Sequence, residues 1–227
     1  SGSCPSFVQI SIDGSQKMHD SIRGKGAFEK AVNGLEMLKR KSIPSMISFT
    51  ANNLNYQQFP EVAELGVKMG CIKVWTDRVV PIGRGSTTDL STLNDFETKD
   101  YIEIISRTRE RFRKNRVTEI AMDRSLQFLG SKEAPYSCNA GRRLLAVSEN
   151  GDVMPCRRLP VLMGNFKEDN LKALYFSDKN IGNNGEMIVP SKCNKCIYSR
   201  TCFGGSRCIS HAVFGSYNEP DPGCYLI

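Results

Sequence analysis

Seven of the nine cysteines stand between residues 138 and 224, and that crowding constrains the fold more than any other feature of the sequence. Cys138, Cys156, Cys193, Cys196, Cys202, Cys208 and Cys224 share the last 90 residues, whereas the first 137 hold only Cys4 and Cys71. A secreted disulfide scaffold is short and carries an even number of cysteines. This chain has 227 residues, an odd count and no basic-then-apolar signal at its start, so a reducing, cytoplasmic compartment and thiolate metal ligation are expected. Cys193-x2-Cys196 lets two thiolates reach one metal centre from a single tight turn, and four thiolates complete either a tetrahedral zinc site or an iron–sulfur cubane. Spacing alone leaves both open, because soft thiolates suit either.

Composition excludes less. Hydrophobic residues make up 40% of the chain, enough to bury a core in one large domain or two small ones. No apolar stretch approaches the about 20 residues of a membrane span, so no membrane partner is expected. The formal charge of +7 suits an acidic peptide or a nucleic acid, but Lys and Arg are scattered over helix-like stretches and form no single patch, which argues against nucleic acid.

The first half alternates strand and helix patterns. Residues 7–13 place Val8, Ile10 and Ile12 on one face; residues 45–51 and 72–77 read as two further strands. Residues 27–40 carry Phe28, Val32, Leu35 and Leu38 at helical spacing, residues 57–69 carry Phe59, Val62, Ala63 and Met69, and residues 98–113 carry Tyr101, Ile105, Thr108 and Phe112. Such alternation implies right-handed crossovers and a parallel sheet. A parallel strand covered on both faces is nearly all apolar. Here the opposite face shows Gln9, Ser11 and Asp13 on the first strand, and Ser48, Thr50 and then Asn52 on the second. Either the sheet curves round a polar cavity, with chemistry at its carboxyl edge, or these are edge strands facing water. The expected fold class is α/β: a partial parallel (β/α) barrel arc of about three units over residues 1–118, then a cysteine-rich, loop-rich α+β module over residues 119–227. Three units cannot close a barrel, since eight take about 250 residues, so the arc needs a missing N-terminal barrel half or another cover.

From about Tyr136 the composition changes to short strands, turns and cysteines. Residues 144–147 and 153–155 flank Ser148-Glu149-Asn150-Gly151-Asp152, and an Asn-Gly pair between apolar runs signals a hairpin in which both turn residues take positive φ. That hairpin puts Cys138 before its start and Cys156 at its far end. A short helix is expected over residues 168–176, with loops beyond it, as where metal ligation replaces a core.

Taken together, Cys138-Asn139-Ala140-Gly141-Arg142, the Asn150-Gly151-Asp152-Val153-Met154-Pro155-Cys156 turn, Gly164-Asn165-Phe166, Cys193-x2-Cys196-x5-Cys202-Phe203-Gly204-Gly205 and the closing Pro220-Asp221-Pro222-Gly223-Cys224 resemble the SPASM domain. That domain is the C-terminal extension of radical S-adenosylmethionine enzymes that mature peptides and proteins, and it usually holds two auxiliary 4Fe-4S clusters. In the first half, Ile10-Ser11-Ile12-Asp13-Gly14, His19-Asp20-x2-Arg23-Gly24 and Arg78-x2-Pro81-x-Gly83-Arg84 resemble the fourth to sixth strands of that family's partial barrel and the loops after them.

The resemblance implies that Cys193, Cys196, Cys202 and Cys224 bind a distal auxiliary cluster, and Cys138 and Cys156 a proximal one. A third proximal cysteine is expected where Ser206 stands, with Cys208 two residues on. Either Cys208 substitutes, leaving one iron open to substrate, or it is a bystander and the proximal cluster is incomplete; His211 is a further candidate ligand. Ser11, Asp13 and Arg23 match groups that contact the ribose and carboxylate of S-adenosylmethionine, an Arg fork suiting a carboxylate; their plainer role is a turn network around Asp13-Gly14. Cys71 is expected to be a packed core thiol. Arg157 follows Cys156 where sulfatase-maturating members carry an acidic residue, which favours a peptide-crosslinking maturase. The Cys-x3-Cys-x2-Cys loop that binds the catalytic cluster in this family does not occur in the 227 residues, so the chain alone is expected to be inactive. The implied partners are a peptide or protein substrate and a reductant such as a ferredoxin or flavodoxin. Rival readings are a stand-alone iron–sulfur electron-transfer or scaffold module, and a zinc-stabilised structural domain.

Overall fold

Apolar residues at alternate positions of short β-branched runs, each followed by an amphipathic helix, give one parallel sheet. In the computed structural model, which describes residues 5–83, 90–122, 124–131, 134–182 and 188–227, β1 (Val8–Ser11), β2 (Ser45–Ala51), β3 (Lys73–Arg78) and β4 (Glu119–Met122) lie side by side in that order, all parallel. Arg84 and Cys4 lie outside the described residues. The helices α1 (Gln16–Arg23), α2 (Ala27–Arg40), α3 (Phe59–Met69) and α4 (Asp95–Arg111) connect the strands. One sheet face carries Ile12, Ile47, Phe49 and Val74, buried against Leu35, Phe59, Val62, Tyr101 and Ile105 of the helices. Fully burying one such side chain contributes about 1.5–3 kcal/mol. At Gly66, α3 approaches β3 so closely that a Cβ would sit 2.2 Å from Val74 Cγ2.

Two elements escape the periodicity, and each for a physical reason. In α1, Met18 and Ile22 are too few apolar residues for a helical stripe; the helix instead presents Asp20, whose carboxylate accepts the N–H groups of Gly26 and Phe28 at 2.9 and 2.8 Å and so holds the first turn of α2. β4 has only four residues, yet it pairs with β3 from Glu119 onward and extends the sheet past residue 118. Helix α4 begins at Asp95, earlier than its apolar stripe, because Asn94 and Glu97 form a reciprocal capping box.

The second half has little core. β5 (Ala146–Val147), β6 (Asp152–Met154) and β7 (Gly164–Asn165) form an antiparallel sheet over Val153, Met163 and Leu174. The β5–β6 turn takes positive φ at Gly151 alone, at 97°, and Asn150 keeps ordinary backbone. The Ser148 N–H to Asp152 carbonyl bond closes a longer loop than the two-residue Asn-Gly turn. Three short helices follow: α5 (Leu171–Tyr175), α6 (Ser199–Cys202) and α7 (Arg207–Phe214).

A buried ion pair joins the halves. Arg78, at the end of β3, donates through Nη1 and Nη2 to the two carboxylate oxygens of Asp221 at 2.7 and 2.6 Å, with both side chains 1% exposed or less. Asp221 also accepts the N–H groups of Ser206 and Gly223 at 3.0 and 2.9 Å. One carboxylate thereby fixes the sheet edge, the loop before α7 and the Pro-Asp-Pro-Gly-Cys terminus.

Candidate metal centres and the cavity beside the sheet

Cys193, Cys196, Cys202 and Cys224, more than 20 residues apart at the extremes, line one apolar hollow with Leu126, Phe128 and Tyr198. Cys193 ends a 3-10 turn, Cys196 follows through an N–H bond to the Cys193 carbonyl at 2.9 Å, and Cys202 ends α6. The chain then turns through three left-handed residues, Phe203, Gly204 and Gly205. A Cβ at Gly204 would meet Pro190 at 2.6 Å and one at Gly205 would meet Asp221 at 2.6 Å, so the Phe-Gly-Gly run is set by close approach as well as by φ. Burial, then the neighbouring Cys224 and Cys196 sulfurs, pushes the Cys193 thiol up to about 11, and burial with Cys224 pushes Cys202 up to about 12. Buried thiols held neutral by low polarity and by neighbouring sulfurs, as at Cys193, Cys202 and Cys224, fit a multivalent cationic centre, which reverses that cost. Among the described residues no three His, Cys, Asp or Glu side chains converge on the position of a single ion.

A second group forms across the module. Cys138, Cys156 and Cys208 line a cavity of about 280 Å³, with Ser206 beside them. Cys156 leaves the hairpin through a bridge to Leu159 and accepts the Arg158 N–H at 3.4 Å. Cys208, in the first turn of α7, lies 3.2 Å from Ser206 Oγ, so the residue at the expected position and the cysteine two places on face the same space. Burial raises the Cys208 thiol, with Arg158 working against the shift. His211, one turn along α7, does not line this cavity; its ring packs near Tyr217 at 6.3 Å. Cys71 is fully buried in the main core, with Ser45 Oγ 3.4 Å away.

The polar face of the sheet lines a third space, about 380 Å³, through Gln9, Ser11, Ser48, Thr50, Trp75 and Asp77. Register places Ser11, Ser48, Trp75 and Ala121 across the four strands in one row. Ser11 therefore faces a cavity. Asp13 and Arg23 face each other: Arg23 Nε bonds Asp13 Oδ2, Thr50 donates to Oδ1 at 3.0 Å, and the Asp13 N–H donates to His19 Nδ1 at 3.0 Å. That is the turn network around Asp13-Gly14. Sequence periodicity gave no sign of Arg124 or Arg158, because both meet Asp77 across tens of residues. Arg157 and Arg158 line both this cavity and the Cys138 cavity, as does Arg124.

The cysteine-rich half matches a known domain: residues 138–197 match SPASM, an iron-sulfur cluster-binding domain. The chain is 27% identical over 240 residues to an AdoMet-dependent heme synthase of Methanosarcina barkeri, covering 96% of this chain and 66% of that protein. It is 24% identical over 228 residues to a PqqA peptide cyclase of Methylocella silvestris, covering 96% and 60%. These matches support a radical S-adenosylmethionine protein of the SPASM type. Its fold is that of Streptococcus suis SuiB bound to S-adenosylmethionine, with a TM-score of 0.73 at 16% identity over 97% of this chain and 54% of that one. This SPASM-type chain thus spans two-thirds or less of the length of these relatives. Iron–sulfur clusters and S-adenosylmethionine are the cofactors that these matches name, and no helix among the described residues is long and apolar enough to cross a membrane.

Proposed function

We propose that this chain provides the accessory-cluster half and part of the reaction cavity of a radical S-adenosylmethionine maturase acting on a peptide. The observation that carries the reading is the sorting of seven cysteines into two separate groups, four around the distal hollow and three around the cavity that opens toward the sheet. Four thiols around one hollow can hold a multi-iron cubane, and the similarity to an iron-sulfur cluster-binding domain favours that over a tetrahedral zinc. Cys193, Cys196, Cys202 and Cys224 would hold one 4Fe-4S cluster; Cys138, Cys156 and Cys208 would hold a second with one iron open. When bound, such clusters supply an electron acceptor or a coordination site for substrate. The chain's own residues shape the space between: Ser11, Ser48 and Thr50 present hydroxyls at the carboxyl edge of the sheet, where S-adenosylmethionine would lie. Peptide substrates are supported by the PqqA peptide cyclases and by SuiB bound to its precursor peptide SuiA. The heme synthase of M. barkeri and an Fe-coproporphyrin III synthase of the same organism favour a second reading, in which the substrate is a tetrapyrrole. A ferredoxin or flavodoxin would exchange electrons with the distal site.

Anaerobic reconstitution with iron and sulfide tests this. About four to eight irons per chain are expected, with absorption near about 400 nm that dithionite bleaches and that zinc cannot give. Zinc alone, at one or two per chain, would sink the assignment. No Cys-x3-Cys-x2-Cys is present, so the chain incubated with S-adenosylmethionine and reductant should give no 5′-deoxyadenosine above background; turnover would show that an auxiliary site initiates the chemistry.

A further inference from the structure

Three arginines form the common wall of the sheet cavity and the Cys138 cavity, and among the described lining residues a single carboxylate faces them. Asp77 is the one carboxylate among the described residues that line either space, and it already accepts the Arg78 N–H at 2.8 Å, an Nη1 bond from Arg158 and a longer contact from Arg124 at 3.4 Å. Arg124 also lies over the Trp75 ring, 5.7 Å from its centroid, which holds its flat guanidinium against the cavity wall. Arg157 is exposed and pairs with no acidic side chain among the described residues. An exposed cation with no acidic partner among the described residues, set where two cavities meet and beside two more arginines, is placed to meet a ligand in either space. A guanidinium takes a carboxylate through two parallel bonds, a geometry that Lys cannot offer.

We infer that Arg157, with Arg124 behind it, binds a carboxylate of the substrate and holds it between the polar face of the sheet and the Cys138, Cys156 and Cys208 site. This rests on the function proposed above and specifies its substrate: a molecule with an acidic side arm beside the reacting position. An acidic residue of a peptide and a carboxylate arm of a tetrapyrrole share that chemistry.

The test uses the full chain after anaerobic reconstitution, with iron measured on every sample. A fluorescein-labelled, capped peptide containing two glutamates is titrated by anisotropy beside its glutamine counterpart, with coproporphyrin III as an unlabelled competitor. The glutamate peptide should bind about tenfold more tightly. Arg157→Gln should abolish the preference while leaving iron content unchanged. Arg116→Gln, the same charge change at an exposed position outside both cavities, should retain it. Competition by coproporphyrin III that requires Arg157 would support carboxylate binding and assign the acid to a tetrapyrrole. Equal affinity for the two peptides, equal loss in both variants, or displacement of the peptide by S-adenosylmethionine would overturn the inference. Failure of the wild-type chain to take up iron would instead overturn the proposed function, so the two failures are distinguishable.

Discussion

The two halves of this molecule are held together by different chemistry. The sheet region buries Ile12, Ile47, Phe49, Phe59, Tyr101 and many neighbours in one continuous core, whereas the hairpin module rests on Val153, Met163 and Leu174. Beyond those three, the last 90 residues bury Ala140, Leu159 and Ile209 and dock Cys202, Tyr198 and Tyr225 on the sheet core, few apolar groups against a conformational entropy of roughly 1–2 kcal/mol per residue. The cysteines stand where the missing core would be. On the function proposed above, the second half would be stable to the extent that its thiols are ligated, while the first is stable through its packing.

The largest expected effect breaks that comparison directly. Chelation or oxidation should unfold residues beyond about 135 while the sheet region keeps its helices, because structural metal can supply on the order of 10 kcal/mol of folding free energy. Limited proteolysis read with far-UV circular dichroism checks this; cleavage spread evenly over both halves would show that the sheet also depends on metal.

Next in size is the pair that joins the regions. Asp221→Ala leaves Arg78 buried without its partner, and should cost about 3–5 kcal/mol in a urea titration. Phe49→Ala should cost a similar amount through the cavity it leaves, but with iron uptake retained in the folded fraction. Asp221 also positions the loop to Ser206 and the turn to Cys224, so its loss should lower iron at the distal site as well. Normal iron in Asp221→Ala would mean that the cysteines find their geometry without the sheet.

These contrasts explain what the sequence could and could not disclose. The residues 27–40 and 45–51 matched α2 and β2 because packing there follows local periodicity. The polar faces of β1 and β2 were legible for the same reason; of the two readings they left open, Ser11 lines a cavity although β1 is an edge strand. What stayed hidden depends on distant partners: Arg158 on Asp77, Arg78 on Asp221, and Asp20 on the turn that starts α2. Asp13 and Arg23 were read in two ways, and the structure pairs them with each other.

A smaller effect sharpens the assignment inside the module. Cys208→Ala should remove about one cluster's worth of iron, and Cys71→Ala none, since Cys71 sits in the sheet core beside Ser45. Equal iron in the two variants would make Cys208 a bystander to the Cys138 and Cys156 site.

The smallest effect concerns acid, and it tests whether the sheet region is held by packing alone. His19 is buried and its Nδ1 accepts the Asp13 N–H, a bond that the doubly protonated ring cannot make. Burial pushes its pKa below 6.5, with Asp13 and Asp20 opposing the shift and Arg23 adding to it. The folded state thus binds a proton less readily than the unfolded state. Stability is full above about pH 6.5 and is lost as pH falls from there toward the lowered folded value. Trp75 is the single tryptophan and sits on β3, so its fluorescence follows unfolding of the sheet in urea. Between about pH 7.5 and about pH 5.5 the wild-type midpoint should fall more than that of His19→Gln, whose amide can accept the Asp13 N–H without titrating. Parallel shifts in both proteins would place the acid sensitivity elsewhere and leave the Asp13 turn a matter of shape alone.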